Sequence, residues 1–447
     1  MADAWAKPEP VLLRNVGRRE ALTVRGYRDR GGYVALERAL KMQPDEVIEL
    51  VKASGLRGRG GAGFPTGMKW GFVPKGPGQK YLVVNADESE PGTFKDRVLM
   101  EEDPHQLIEG SAICCWAVGA SVCYIYIRGE YVEPARILEA AIRDAYEQGI
   151  LGRDVMGSGF GLDMVVHRGA GAYICGEETG LLESLEGKRG QPRVKPPFPA
   201  VVGAFGMPTV INNVETLCCV PHIVERGAAW FKGIGTDERN TGPKLYAVSG
   251  HVERPGTYEV PIGITFQELL DECGGVWRGR QLKAFIPGGA SAPVMTAADR
   301  HIKLDFDTLA KAGSMLGSAA VMVMDETTSM LAVAKRSAKF FNHESCGQCT
   351  PCREGTNWLE VVLAHAAHGE ATVGEVDLVQ EICRQIAGNS LCALGDAAAM
   401  GVGPIVKKYR DEILAEMAAA AGHGAHAGGD RSGDVARTGR LPVLQGA

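Results

Sequence analysis

Short apolar runs alternate with stretches of helical periodicity through the first half of the chain. Tyr81-Leu82-Val83-Val84 is unbroken by charge, as a strand buried on both faces must be. The pattern then predicts a helix over Pro104–Ala117, a strand over Ser121–Arg128, a helix over Pro134–Gln148 and a strand over Met164–His167. Leu181–Leu185 and the residues after Thr216 read as two further helices. Alternation of this kind implies a parallel sheet with crossover helices. Upstream, helical periodicity shows in Gly32–Lys41 and in Pro44–Ser54, which stops at Gly55, and residues 1–55 otherwise read as an irregular arm.

Near Lys244 the texture changes to short strands and turns, at Leu245–Gly250, Gly256–Val260, Leu282–Ile286 and Ala319–Met324. Thr265 and Glu268 form a capping box for a helix over Phe266–Glu272, stopped by Gly274. This is a small α+β unit with no visible chemistry, read as a spacer or docking domain. From Ser329 the pattern is helical: a segment to Asn342, then Thr356–His368, Gly374–Ala387 and Val406–Ala420. Four helices with short links make a bundle. From Gly422 the residues follow no period and read as a disordered tail. The expected division is 1–243, 244–328, 329–421 and 422–447.

Composition narrows the class. A chain of 447 residues holds two or three domains, and a net charge of -6 gives no reason to expect nucleic acid. The apolar uncharged run Ser111–Ile127 falls short of a membrane span, and the first ten residues carry no export signal. Twelve cysteines without such a signal point to a reducing compartment and to metal or redox use. The 59 glycines cluster, which favours close approach of bare backbone to ligands over disorder.

The chemistry centres on Cys346-Gly347-Gln348-Cys349-Thr350-Pro351-Cys352. Cysteines three apart on a bent backbone converge, as for a cubane iron–sulfur cluster with a remote fourth ligand. Zinc, which more naturally takes two separated pairs, and free thiols are the other readings. The ferredoxin continuation is absent, because Thr356 stands where a fourth Cys would. Of the two remote candidates, Cys383 lies on an apolar helix face with Val379, Ile382 and Ile386, whereas Cys392 follows a helix stop and is free to turn inward. Cys392 is the choice.

Three loops look ligand-like. Five glycines fall in ten residues from Gly58, with Arg57, Arg59, Phe64 and Lys69 nearby; this is a flexible loop or, fitting better, a phosphate cradle. No apolar strand leads into it, so it is not the dinucleotide fingerprint. Asn85-Ala86-Asp87-Glu88-Ser89-Glu90-Pro91 ends the first strand, where open α/β sheets bind ligands, although alone it would pass for a solvated turn. Tyr173-Ile174-Cys175-Gly176-Glu177-Glu178 opens a helix, and its two carboxylates also suit simple capping. Cys175 reads as a packed thiol, and Arg193–Pro199 as a nucleotide border or a stiff connector.

With RGRGGAGFPTG, NADESEPGTFKDR, GAYICGEETGLLESLEG, ESCGQCTPCREG and SLCALG in this order, the chain closely resembles the flavoprotein (F) subunit of bacterial NADH–quinone oxidoreductase, respiratory complex I. The resemblance covers nearly the whole chain, excluding the tail. It implies a Rossmann-like FMN/NADH domain, a ubiquitin-like (β-grasp) domain and a helical [4Fe-4S] domain. It implies FMN held by Gly58, Gly60, Gly61, Lys69, Asn85, Asp87, Glu88, Ser89, Tyr173, Gly176, Glu177, Glu178, Ile211, Asn212, Asn213 and Thr216. NADH would stack among Phe64, Phe72 and Phe198, with Lys195 nearby and Glu90 beside the nicotinamide. Cys346, Cys349, Cys352 and Cys392 match the cluster ligands. The implied partners are a thioredoxin-like [2Fe-2S] subunit and the multi-cluster subunit of the peripheral arm, on the cytoplasmic side of the bacterial inner membrane. Two alternatives stand beside this one: the diaphorase subunit of an NAD-linked hydrogenase or formate dehydrogenase, and a non-enzymatic zinc-stapled scaffold.

Overall fold

Four parallel strands organise the first half of the chain: β1 (Tyr81–Ala86), β2 (Val122–Ile127), β3 (Asp163–Arg168) and β4 (Thr209–Asn213), in the order β3-β2-β1-β4. The computed structural model describes residues 9–426. Alternation along the central strands sorts side chains to two faces. Leu82, Val84, Cys123 and Ile125 are fully buried in one core with the helices Pro104–Val118 and Val214–Arg226. Val83, Tyr126 and Ile211 enter a second core that includes the helix Glu178–Leu185. Because β1 is central and parallel on both sides, its carboxyl end opens into the crevice that such sheets offer ligands.

The expectation of an irregular arm is corrected. Before the first strand the chain forms helices at Val24–Asp29, Val34–Ala39 and Pro44–Ser54, and Leu12, Tyr27, Tyr33, Leu36 and Val47 are completely buried in the first core. Tyr27 Oη donates to Glu109 Oε2 at 2.7 Å, and Tyr33 Oη bonds His105 Nδ1 at 2.7 Å, so the segment is bolted to the crossover helix through polar groups. Two of these helices carry the periodicity read in the sequence; Val24–Asp29, only six residues long, has little room to show one.

A mixed five-stranded sheet follows, with β5 (Pro243–Gly250), β6 (Gly256–Pro261), β7 (Leu282–Ile286), β8 (Met295–Thr296) and β9 (Ala320–Asp325) in the order β6-β5-β9-β7-β8. β5 and β9 pair in parallel, the other neighbours antiparallel, and the helix Phe266–Glu272 packs across them in a core of its own. Phe266 stacks on Phe285 with ring centroids 3.7 Å apart.

Among the described residues the helical region holds five helices, not four: Met330–Glu344, Thr350–Ala367, Val373–Ile386, Ala393–Lys408 and Arg410–His426. The fourth, Ala393–Lys408, carries Gly395, Gly401, Gly403 and Pro404, which erase its helical signature. Those glycines are needed for close packing: a Cβ at Gly401 would lie 2.3 Å from the carbonyl oxygen of Ala290. The last helix runs to His426, past the expected start of the tail at Gly422, and the rest of that tail lies outside the described residues. Among the described residues no helix is long and apolar enough to cross a membrane.

Candidate functional site

At the carboxyl end of β1 lies a cavity of about 380 Å³, within the range of small-molecule and cofactor sites. All three layers contribute to its wall. The first Gly-rich loop supplies Gly60 and Gly61, and the loop after β1 supplies Asn85, Asp87, Glu88, Ser89 and Glu90. Tyr173, Gly176 and Glu177 come from the loop after β3, and Asn213 from the end of β4. These residues, all singled out in the sequence, meet around one space.

The others lie behind or beside it. Gly58 N donates to the Phe64 carbonyl at 2.8 Å, closing the Gly-rich loop. Thr216 Oγ1 accepts from Arg59 N at 2.8 Å, Asn212 Oδ1 accepts from Trp70 Nε1 at 2.8 Å, and Ile211 is core. Lys69 and Lys195 both reach Glu178, at 3.0 and 2.9 Å, and Lys195 also reaches Glu177 at 2.9 Å. Burial works to raise the Glu178 carboxyl, yet the two lysines hold it below its ordinary value. Phe64 and Phe72 form a tilted pair, centroids 6.0 Å apart, and with Phe198 they stand about half exposed outside the cavity.

Two loops owe their shape to hydrogen bonds that the sequence hides. Glu88 accepts the N–H groups of Asp96 and Arg97 at 2.8 and 2.9 Å, capping the helix Lys95–Glu102. Even so, burial pushes its carboxyl up to about 7, and burial pushes Asp87 up to about 7 against the Ser89 hydroxyl. Glu90 is also raised by burial, opposed by the Tyr173 hydroxyl at 2.6 Å and by Ser291. Behind this wall, Lys95 contacts Asp96 at 2.7 Å and Glu215 at 2.8 Å, and Glu215 contacts Lys244 at 2.7 Å. All four side chains are buried, and Lys95 and Asp96 line the cavity. Apolar neighbours gave no hint of this charge set; the run Lys95-Asp96 was the only signal in sequence.

Sequence reasoning also missed two walls. Gly288, Ser291, Met315, Gly317 and Ser318 from the five-stranded unit line the cavity, so that unit is no mere spacer. The helix Ala393–Lys408 adds Ala393, Leu394, Asp396, Ala397 and Met400. Neither group forms a motif, because each is an ordinary turn or helix face until the fold brings it round.

The four chosen cysteines meet on the second core. Cys349 is the N-cap of the helix Thr350–Ala367, Cys352 lies in its first turn, and Cys392 is the N-cap of Ala393–Lys408. Helix N-termini favour thiolate over thiol. Thiols this close would resist ionising together: burial raises Cys352 against the Ser345 hydroxyl, with Cys349 and Cys346 adding to the rise, while burial pushes Cys392 up to about 11 with Glu177, Cys346 and Cys352 adding to it. A cationic core bonded to all four removes that conflict. Among the described residues no three His, Cys, Asp or Glu side chains gather closely enough to hold a single metal ion. Cys383 instead packs against Gly403, where a glycine Cβ would lie 3.2 Å from its sulfur.

The cavity suits a flavin nucleotide as well. Gly60 and Gly61 present bare backbone to it; a Cβ at Gly60 would lie 2.9 Å from Asn213 Cβ, and Gly61 has φ +149° with open space ahead. Asn213 Oδ1 is buried without a partner, and the acceptor-rich lining of Asp87, Glu88 and Asn213 matches the donors of a polyhydroxylated chain.

Three family models match the chain: the Nuo51 FMN-binding domain over residues 51–222, the SLBB domain over 245–294, and the NADH-ubiquinone oxidoreductase-F iron-sulfur binding region over 332–416. The NADH-quinone oxidoreductase F 2 subunit of Rhizobium meliloti (strain 1021) is 58% identical over 412 residues, covering 92% of this chain and 98% of the relative. The corresponding F subunit of Streptomyces coelicolor is 51% identical over 90% of both chains. Among solved structures, an NAD+-reducing [NiFe]-hydrogenase in the air-oxidised state superposes with a TM-score of 0.78 at 35% identity, covering 92% of this chain and 67% of that one.

Proposed function

This chain belongs to the family of NADH-quinone oxidoreductase F subunits, and we propose that it oxidises NADH at a bound FMN and passes the electrons singly to a [4Fe-4S] cluster. The observation that carries this reading is one of connectivity: Cys392 is followed directly by Ala393 and Leu394, which line the flavin cavity. The two centres thus share a wall. FMN, when bound, accepts a hydride and releases electrons one at a time, which neither the nicotinamide nor the cluster does alone.

The protein's part is binding, orientation and exclusion of water. The first Gly-rich loop approaches the flavin phosphate with bare amides, while Asn85, Asp87, Ser89 and Asn213 hold its polar chain. Tyr173, Gly176 and Glu177 close the opposite side. Cys346, Cys349, Cys352 and Cys392 hold the cluster. Phe64, Phe72 and Phe198 stack the dinucleotide outside the cavity, with Lys195 beside them, and Glu90 faces the nicotinamide. A carboxylate there favours the positively charged oxidised ring. The division of labour follows 1–243 for flavin and dinucleotide, 244–328 for the second wall, and 329–421 for the cluster. As one subunit of a multi-subunit oxidoreductase, the chain meets in this reading a thioredoxin-like [2Fe-2S] subunit and a multi-cluster subunit, on the cytoplasmic side of the membrane.

The hydrogenase likeness supports the same chemistry on a related chain, but 35% identity over two thirds of that chain stands against 58% over nearly all of an F subunit. Gly60→Val tests the reading in the purified complex. The added side chain meets Asn213, so FMN content and NADH–ferricyanide turnover should fall together while the reduced-cluster EPR signal, generated with dithionite, persists. Full FMN in that variant removes the loop from the site.

A further inference from the structure

We propose that Ser291, on the turn after β7, is a positioning residue that fixes the Glu90 carboxylate for its encounter with the nicotinamide. This rests on the reading of Glu90 just given and extends it to a residue of the five-stranded unit.

Ser291 meets both oxygens of Glu90. Its backbone N–H donates to Oε1 at 2.7 Å and its hydroxyl to Oε2 at 3.0 Å, which defines the plane of the carboxylate. Tyr173 Oη donates to the same Oε2 at 2.6 Å and lies 3.1 Å from Ser291 Oγ. The turn closes tightly on the side chain: Gly289 has φ +92°, and a Cβ there would lie 2.5 Å from Glu90 Cγ. Only glycine leaves room for the glutamate stem.

The turn has its own anchors. Gly289 N donates to the Ala320 carbonyl of β9 at 2.8 Å, and Ala292 N to the Gly289 carbonyl at 2.8 Å. Glu90 is therefore received by a preformed cradle. Burial alone would favour a neutral Glu90, and the donors of Tyr173 and Ser291 oppose that. Donors placed this way fix the direction of the carboxylate, which a group facing a developing cation needs.

A plain staple between the two units would also place Ser291 here, so the test must separate positioning from stapling. In the purified holo-complex, Ser291→Ala, Ser291→Thr, Glu90→Gln and the Ser291→Ala/Glu90→Gln pair are compared. The readouts are FMN content, equilibrium NAD+ binding by calorimetry, and kcat and KM for NADH–ferricyanide turnover per bound FMN. Ser291→Ala should keep its FMN and shift NAD+ affinity and kcat/KM on the order of ten-fold, in the same direction as Glu90→Gln, the scale of one hydrogen bond to a charged group. Ser291→Thr should restore most of this. On the Glu90→Gln background, Ser291→Ala should add less than about two-fold, because its target charge is gone. An undiminished effect on that background, or a silent Ser291→Ala beside an active Glu90→Gln, overturns the positioning role alone. A silent Glu90→Gln overturns the assignment of Glu90 and this inference with it.

Discussion

Replacing Glu215 by Gln should loosen the chain at a point no surface view reveals. One Glu215 oxygen is shared by Lys95 at 2.8 Å and Lys244 at 2.7 Å, and the other accepts Leu245 N at 2.9 Å. Burial works to raise that carboxyl, but Lys244 and Lys95 keep it below its ordinary value, so it is an ion in the native state. The glutamine amide has one acceptor where three donors converge, and its NH2 would face a donor. Lys95 retains Asp96, but Lys244 loses its carboxylate and keeps only carbonyls. Breaking a buried pair from one side costs about 3–5 kcal/mol. Burial pulls the Lys244 ammonium down to about 7 even beside Glu215, so without that carboxylate Lys244 gives up its proton instead, which limits the cost. Neutralising Lys244 carries a signature: the variant's native state lacks a proton that the parent's native state binds below pH 7, so its deficit grows as pH falls below 7, by up to about 1.4 kcal/mol per pH unit. Urea unfolding followed by tryptophan fluorescence at several pH values reads this out. FMN retention should fall in parallel, because Lys95 and Asp96 line the cavity. A loss below about 1 kcal/mol at pH 6, or a deficit that grows with pH, would refute the reasoning.

Two other outcomes follow from the same physics. Cys392→Ser should strip most iron from the protein, while Cys383→Ser should leave iron content and the reduced-cluster EPR signal nearly intact, since Cys383 packs against Gly403; the opposite response reassigns the remote ligand. Stability of the flavin-free chain should fall between pH 6 and pH 8. Asp103 and Asp87 are each raised by burial to about 7, so the native state holds protons the unfolded chain has released above pH 4, and about 1.4 kcal/mol per group is lost as pH rises through 7. Chemical denaturation midpoints at the two pH values check it, and greater stability at pH 8 contradicts it.

What could be read from sequence was what is local. Tyr81–Ala86 announced itself because a strand buried on both faces needs an unbroken apolar run, and Phe266–Glu272 because its capping box brackets it. The three-cysteine turn was visible for a similar reason, since its ligands sit three residues apart. Ala393–Lys408 stayed hidden because tight packing against Ala290 demands glycine, which lowers helical propensity at the positions that would have marked it. Ser291 and the Lys95–Glu215–Lys244 set were invisible because their meaning exists only across long separations: Glu90 and Ser291 stand 201 residues apart in the chain. Lysines beside carboxylates in sequence look the same whether solvated or sealed.

The span of the cavity wall, from Gly60 to Met400, bears on the order in which this molecule comes into being. A chain emerging from the ribosome presents the parallel sheet and its Gly-rich loop long before the helix Ala393–Lys408 has been made. Until that helix docks, the nascent pocket is open along one side, and its lining carboxylates remain wet. Flavin met at that stage finds only half its enclosure. Its retention is therefore an event of the finished chain, set by the last wall to be translated.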